Sequence, residues 1–160
     1  MKTAVLTVLA GLMMLSCTNR QTAELSQEGE AQLLETSREW SKSFSTEAYF
    51  SFIGEDGIMM APDQPLLQGH EKIRKVLSEF QSIPGFNVTW EPQQAFVSES
   101  GDLGYTIDKM LVSFEDENGS TVKQFEKVVS IWKKNEEGVW KMAVDVWNTD
   151  PTLTAIDKQG

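Results

Sequence analysis

From Phe86 onward the chain adopts a period of two. Phe86, Val88 and Trp90 alternate with polar neighbours, and the alternation continues through "QAFVSES", "GYTIDKMLVSF", "VKQFEKVVSIWKK" and "VWKMAVDVWN". Such a period places alternate side chains on opposite faces of a strand, so these runs predict four or five long antiparallel strands. The breaks between them, "SGD", "DENGS" and "NEEG", are turn-forming, and Asn118-Gly119 is the clearest hairpin signal in the chain.

Upstream of Pro84 the period is helical. From Glu24 to Phe44 the positions Leu33, Leu34, Ser37, Trp40 and Phe44 recur at three or four residues and form a one-sided stripe. A short second helix is expected at "EAYFSFI", capped by Ser45 or Thr46 and ended by Gly54. "GIMMAPD" reads as a short strand closed by Pro62. A third helix follows in "GHEKIRKVLSEFQSIPG", with Ile73, Val76, Leu77 and Phe80 on one face and Pro84-Gly85 as its stop. Helices followed by strands argue for an α+β domain with the helices on one face of the sheet.

The first residues give an address. A basic start at Lys2 precedes an apolar run from Ala4 to Leu15, shorter than the roughly 20 residues a bilayer span requires. Residues 1–16 therefore read as an export signal. "MMLSCTN" follows, with small Ser16 before Cys17, the only cysteine, and resembles a bacterial lipobox whose cysteine is lipidated. Residues 17–23 are then a lipidated cysteine and tether, 24–151 the domain and 152–160 a tail. This places the protein in the bacterial cell envelope, lipid-anchored on the periplasmic or outer surface. One cysteine forms no internal disulfide, so stability rests on the packed core.

Loss of residues 1–16 removes Lys2 and no acid, leaving 13 basic and 24 acidic residues and a net charge of −11. That charge disfavours nucleic acid and anionic lipid surfaces, so the membrane is reached through the lipid anchor only.

The final run, "GVWKMAVDVWNTDP", poses the sharpest question. Simple alternation puts Trp140, Met142, Val144 and Val146 on its apolar face, and Lys141, Ala143, Asp145 and Trp147 on the other. Strands deplete aspartate, so Asp145 in a central strand either lines a pocket or accepts a hydrogen bond from a buried donor.

The element order, the "LLQGHEKI" helix start and the closing "VVSIWKKNEEGVWKMAVDVWNTDP" resemble the ketosteroid-isomerase-like superfamily, also called SnoaL-like or nuclear-transport-factor-like. Trp132-Lys133, Gly138, Trp140-Lys141, Asp145, Trp147-Asn148 and Asp150-Pro151 are similar to the W-K, D-x-W-N, D-P ending of one of its bacterial families, whose function is unannotated. The resemblance spans about 24–151. It implies a cone-shaped α+β fold, with three N-terminal helices packed on a curved, mainly antiparallel sheet that encloses a cavity, and frequent dimers through sheet faces. The superfamily hosts isomerases, cyclases, dehydratases, hydrolases and assembly modules, so fold alone does not give function.

Proton transfer beside a carbonyl requires one ionised carboxyl and one kept neutral by desolvation. The candidates are Asp145 and Asp108 on strands, Glu126 on the strand between, and Asp63 after the first strand. Asp108 is either a pocket residue or a member of an edge strand, while Glu126 and Lys127 read as solvated sheet residues. The aromatics expected to contact a ligand are Trp147, Tyr105, Trp40, Tyr49 and Trp90; for Trp147 and Trp90 the alternative is core or dimer-face packing. The first helix carries no tyrosine to serve as an oxyanion donor. His70, at the start of the third helix, reads as a surface residue, and without a second histidine no metal site is expected. No G-x-S-x-G, H-E-x-x-H, G-x-G-x-x-G or P-loop is present, so no cofactor is expected either. Three readings follow: an exported lipoprotein binding a small apolar molecule, a cofactor-free isomerase or dehydratase with an aspartate base, and an association module without ligand. A homodimer is expected.

Overall fold

The computed structural model describes residues 26–157; the expected export signal, Cys17 and the expected tether lie outside them. Helix α1 covers 26–43. A 3-10 helix at Glu47–Phe52 leads into β1 (Ile53–Met60), β2 (Leu67–Gln68) and α2 (His70–Gln81). Then come β3 (Asn87–Val97), β4 (Leu103–Glu115), β5 (Thr121–Lys134) and β6 (Trp140–Thr149). The strands form one sheet in the order β2-β1-β6-β5-β4-β3, antiparallel except where β1 runs parallel to β6.

Several boundaries differ from expectation. The first strand starts at Ile53, four residues before the apolar "GIMM", because pairing with β6 recruits the glycine-rich "IGEDG". Thr46 precedes the 3-10 helix without a side-chain cap; its hydroxyl instead donates to the Ser43 carbonyl at 2.7 Å, closing the end of α1. The runs at 86–90 and 94–97 are one strand, β3, interrupted by an extra residue.

That residue is Gln93, and its counterpart in β6 is Ala143. Pro92 faces Asp108 while Gln94 faces Ile107, and Trp132 faces Met142 while Ile131 faces Val144, so each strand carries one unpaired residue. A bulge of this kind bends the strand and shifts which side chains point inward. Before the β6 bulge Trp140 and Met142 are buried; after it Asp145 is buried, and Val144 and Val146 turn to the outer face. The expected single apolar face of β6 is thus corrected. Phase is reset at Ala143, which carries Asp145 to the same side as Met142.

Helix α1 crosses the inner face of β3 and β4. Leu33, Ser37 and Trp40 are all but inaccessible to solvent. The close approach requires Gly104, where a β-carbon would lie 2.6 Å from the Phe96 carbonyl and 2.8 Å from Leu33 Cδ2. Trp40 lies at the centre of the core, with ring centroids 5.2 Å from Tyr49, 4.8 Å from Trp90 and 5.4 Å from Trp132. Aromatic contacts of this kind add about 0.5–1.5 kcal/mol each beyond area burial. Arg38 Nε donates to Glu91 Oε1 at 2.8 Å and fixes the helix at the sheet margin.

Candidate functional site

The inner face of the sheet is a set of rows set by register. Thr106, Ser130 and Asp145 form one, bordered by Met59 on β1; Asp108, Val128 and Trp147 form the next; Met110, Glu126 and Thr149 the third. Helix α1 covers the first rows on the β4 side. Beyond its end, α2 and the segment after β1 stand off the sheet and leave a cavity of about 370 Å³. Val76, Leu77 and Phe80 of α2 wall it on one side, and Trp90, Met110 and Val112 of the sheet on the other. Trp40 and Tyr49 close one end with Ser130 and Asp145. This volume lies within the range of small-molecule sites, which begins near about 300 Å³.

Asp145 is therefore a cavity residue on a central strand. Ser130 Oγ donates to its Oδ1 at 2.6 Å. Burial pushes its carboxyl up to about 7, against the opposing effect of that hydrogen bond. Tyr49 reaches the same end from the 3-10 helix; burial raises its hydroxyl pKa, and the nearby charge of Asp145 raises it further. The tyrosine missing from the first helix is thus supplied by the next element.

Asp108 lies under α1, outside the cavity lining, and β4 is an interior strand, which corrects the edge-strand alternative. Ser37 Oγ and Thr106 Oγ1 donate to its Oδ2 at 3.4 and 3.2 Å. Each hydroxyl is oriented by an indole that can only donate: Trp90 Nε1 to Ser37 Oγ at 3.1 Å, and Trp132 Nε1 to Thr106 Oγ1 at 3.2 Å. The hydroxyl oxygens accept, and their hydrogens are left for the carboxylate. Burial first, then the charge of Asp145, pushes the Asp108 carboxyl up to about 7, while its hydroxyl donors oppose the change. Two buried acids on adjoining rows titrate as a pair.

The expectation for Glu126 is corrected. It is 3 % exposed and lines the cavity. Gln124 Nε2 donates to its Oε1 at 2.7 Å, while Oε2 has no partner among the described residues. Burial raises its carboxyl pKa. Glu126 shares the inward side of β5 with Val128, Ser130 and Trp132, and the elements above that face bury it.

Trp147, Trp40, Tyr49 and Trp90 line the cavity, with Asp63 at its mouth. Tyr105 does not; it lies on the outer face, stacked on Phe96 at 4.7 Å and 39 % exposed, because it alternates with inward Gly104 and Thr106. His70 is half-buried, not a surface residue. Its Nε2 lies 3.1 Å from the Ile53 carbonyl, which only accepts, so the ring donates there and fastens α2 to β1. Among the described residues no group of three or more His, Cys, Asp or Glu is placed to hold a metal ion.

No family model and no curated protein matches the chain. Solved structures do. A ketosteroid isomerase-like protein from Erwinia carotovora atroseptica superposes with a TM-score of 0.63 at 17% identity, over 72% of this chain and 92% of its own. An NTF2-like protein with a cystatin-like fold from Novosphingobium aromaticivorans gives 0.56 at 13% identity, over 98% and 96%. The chain has the ketosteroid-isomerase-like, NTF2-like fold. The S. rosetta CaMKII hub shares it, with a TM-score of 0.61 at 16% identity over 76% of this chain and 96% of the hub. The cavity lies between the inner sheet face and its covering helices.

Proposed function

We propose that this NTF2-like domain binds a small, mainly apolar molecule in its cavity, as an exported protein anchored in the cell envelope by lipid on Cys17. The cavity carries the reading: about 370 Å³ walled by apolar side chains, with a few polar groups, Gln124, Glu126, Ser130 and Asp145, converging from β5 and β6. Convergent polar groups in an apolar cavity fix a ligand's orientation. Nile red, a neutral dye that fluoresces in apolar surroundings, is expected to bind saturably at one site per chain. Val112→Trp, which fills the cavity from β4, should abolish that signal while leaving the circular dichroism unchanged. Equal binding by that variant would place the dye elsewhere and defeat the reading.

A second reading is favoured by the juxtaposition of Asp145 and Tyr49. A carboxyl titrating near neutrality and a phenol at the same end of a desolvated cavity supply a base and a hydrogen-bond donor, the pair required by a cofactor-free isomerase or dehydratase. Homodimerisation belongs to the proposal as well, supported by an apolar outer sheet face and by the hub-type neighbour.

The anchor has its own test. Cys17→Ser is expected to move the protein from the membrane fraction to the soluble fraction and to abolish incorporation of labelled fatty acid. Membrane association unchanged by the substitution would exclude lipidation at Cys17.

A further inference from the structure

The side chains lining the cavity that can carry a charge near neutral pH are all carboxyls. Asp63, Glu126 and Asp145 line it, and no lysine, arginine or histidine among the described residues does. Eight of the lining side chains are aromatic, among them Trp40, Tyr49, Trp90 and Trp147. Trp147 stands diagonally across β5 and β6 from Glu126, since Val128 faces Trp147 and Glu126 faces Thr149. Glu126 Oε2 is buried at this wall without a protein partner among the described residues, while its other oxygen is held by Gln124.

These features select among ligands. An anion would meet three carboxyls and no counter-charge. A purely apolar molecule would leave Glu126 Oε2 buried and unpaired, an unfavourable state for any polar oxygen. A cation bearing N–H groups satisfies Oε2 with a charge-assisted hydrogen bond and is attracted to the faces of the surrounding rings. We infer that the cavity takes an organic ammonium, a small hydrophobic amine whose charged end is held by Glu126 and whose apolar body lies among the aromatic side chains. The inference rests on the cavity being a ligand site and names the class of that ligand.

Phenethylamine, charged at neutral pH, and phenethyl alcohol have nearly the same shape and both donate hydrogen bonds, so they differ chiefly in charge. Both are titrated against the full-length protein by displacement of Nile red. The amine is expected to bind at least about tenfold more tightly, the equivalent of one charge-assisted contact. Glu126→Gln should remove that preference, so that amine and alcohol bind the variant with affinities within about threefold of each other; Glu126→Asp, which keeps the charge, should restore part of it. Equal affinity of the two probes for the wild-type protein overturns the ammonium inference and leaves the apolar-ligand reading standing. Failure of both to displace the dye overturns the two together. A preference undiminished in Glu126→Gln removes Glu126 from the assignment and overturns the inference as stated.

Discussion

At pH 8 the Asp145→Asn variant is expected to be more stable than the wild-type protein by about 2–4 kcal/mol, since each tenfold difference in proton affinity between the folded and unfolded chain is worth about 1.4 kcal/mol. The sign follows from linkage. Asp108 and Asp145 titrate near 7 in the folded chain, pushed up by burial, while an unfolded aspartate titrates near 3.8. Below about pH 4 both states carry the protons and the groups contribute fully to stability. Between about 4 and 7 the unfolded chain has released protons that the folded chain retains, so stability falls as pH rises, and above about 7 it levels. Asparagine keeps the acceptor for Ser130 Oγ, removes the charge and relieves Asp108 of its neighbour. Its urea midpoint should therefore fall less between pH 5 and pH 8. Glu126, also raised, adds a smaller loss of the same sign in both proteins, while Asp102 and Asp150, held low by hydrogen bonds from Ser100 and Thr152, act in the opposite sense only at acid pH. An identical pH slope in wild type and variant would show that Asp145 is solvated. The same variant separates the two functional readings. As general base, Asp145 is worth roughly 10²–10⁴ in turnover, whereas in a purely binding cavity its loss alters affinity and stability alone.

Val129→Glu is expected to convert a homodimer to a monomer without unfolding it. The outer sheet face is laddered by register: Tyr105, Ile131 and Val144 in one row, Ile107, Val129 and Val146 in the next. Phe96 extends the first row beside Tyr105. Lysines bound the patch at both ends, Lys109 with Lys127 and Lys133 with Lys141. An apolar centre with a charged rim is the anatomy of an association surface. Val129 is 37 % exposed in the protomer, so a glutamate there is solvated when monomeric. In a two-fold interface the two copies of the patch meet, and the introduced carboxylates lose water without gaining partners, a cost of several kcal/mol that weakens Kd at least about 100-fold. Light scattering on the chain lacking residues 1–17, at about 100 µM, should give twice the protomer mass for the wild type, where even a Kd near 10 µM keeps most of it dimeric, and the protomer mass for the variant. A monomeric wild type would refute association through this face.

The order of helices and strands was legible because periods of 3.6 and two are local properties of the chain, and Leu33, Ser37 and Trp40 declare their face of α1 without reference to any partner. The turns at Gly101, Gly119 and Gly138 were legible for the same reason: each adopts positive φ between runs of strand. Which way Asp145 points was not. Alternation carried forward from Trp140 assigns it to the face opposite Met142; only pairing with β5, where Ala143 finds no partner, resets the phase and buries it. The parallel neighbour β1, which sets Met59 beside Asp145, joins segments far apart in the chain and leaves no mark in either. Glu126 reads as solvated in sequence because burial of a charge is decided by what stands above the sheet, and nothing in "QFEKVV" reports the overhang of α2. Tyr49, on a six-residue 3-10 helix, supplies the phenol that α1 lacks, because the chain turns back over the end of the cavity. Local periodicity, a property of neighbours in sequence, determined the elements of this protein. Its carboxyl pair, its cavity and the sign of the charge within it depend on register, bulges and covering helices, which exist only once distant segments pair.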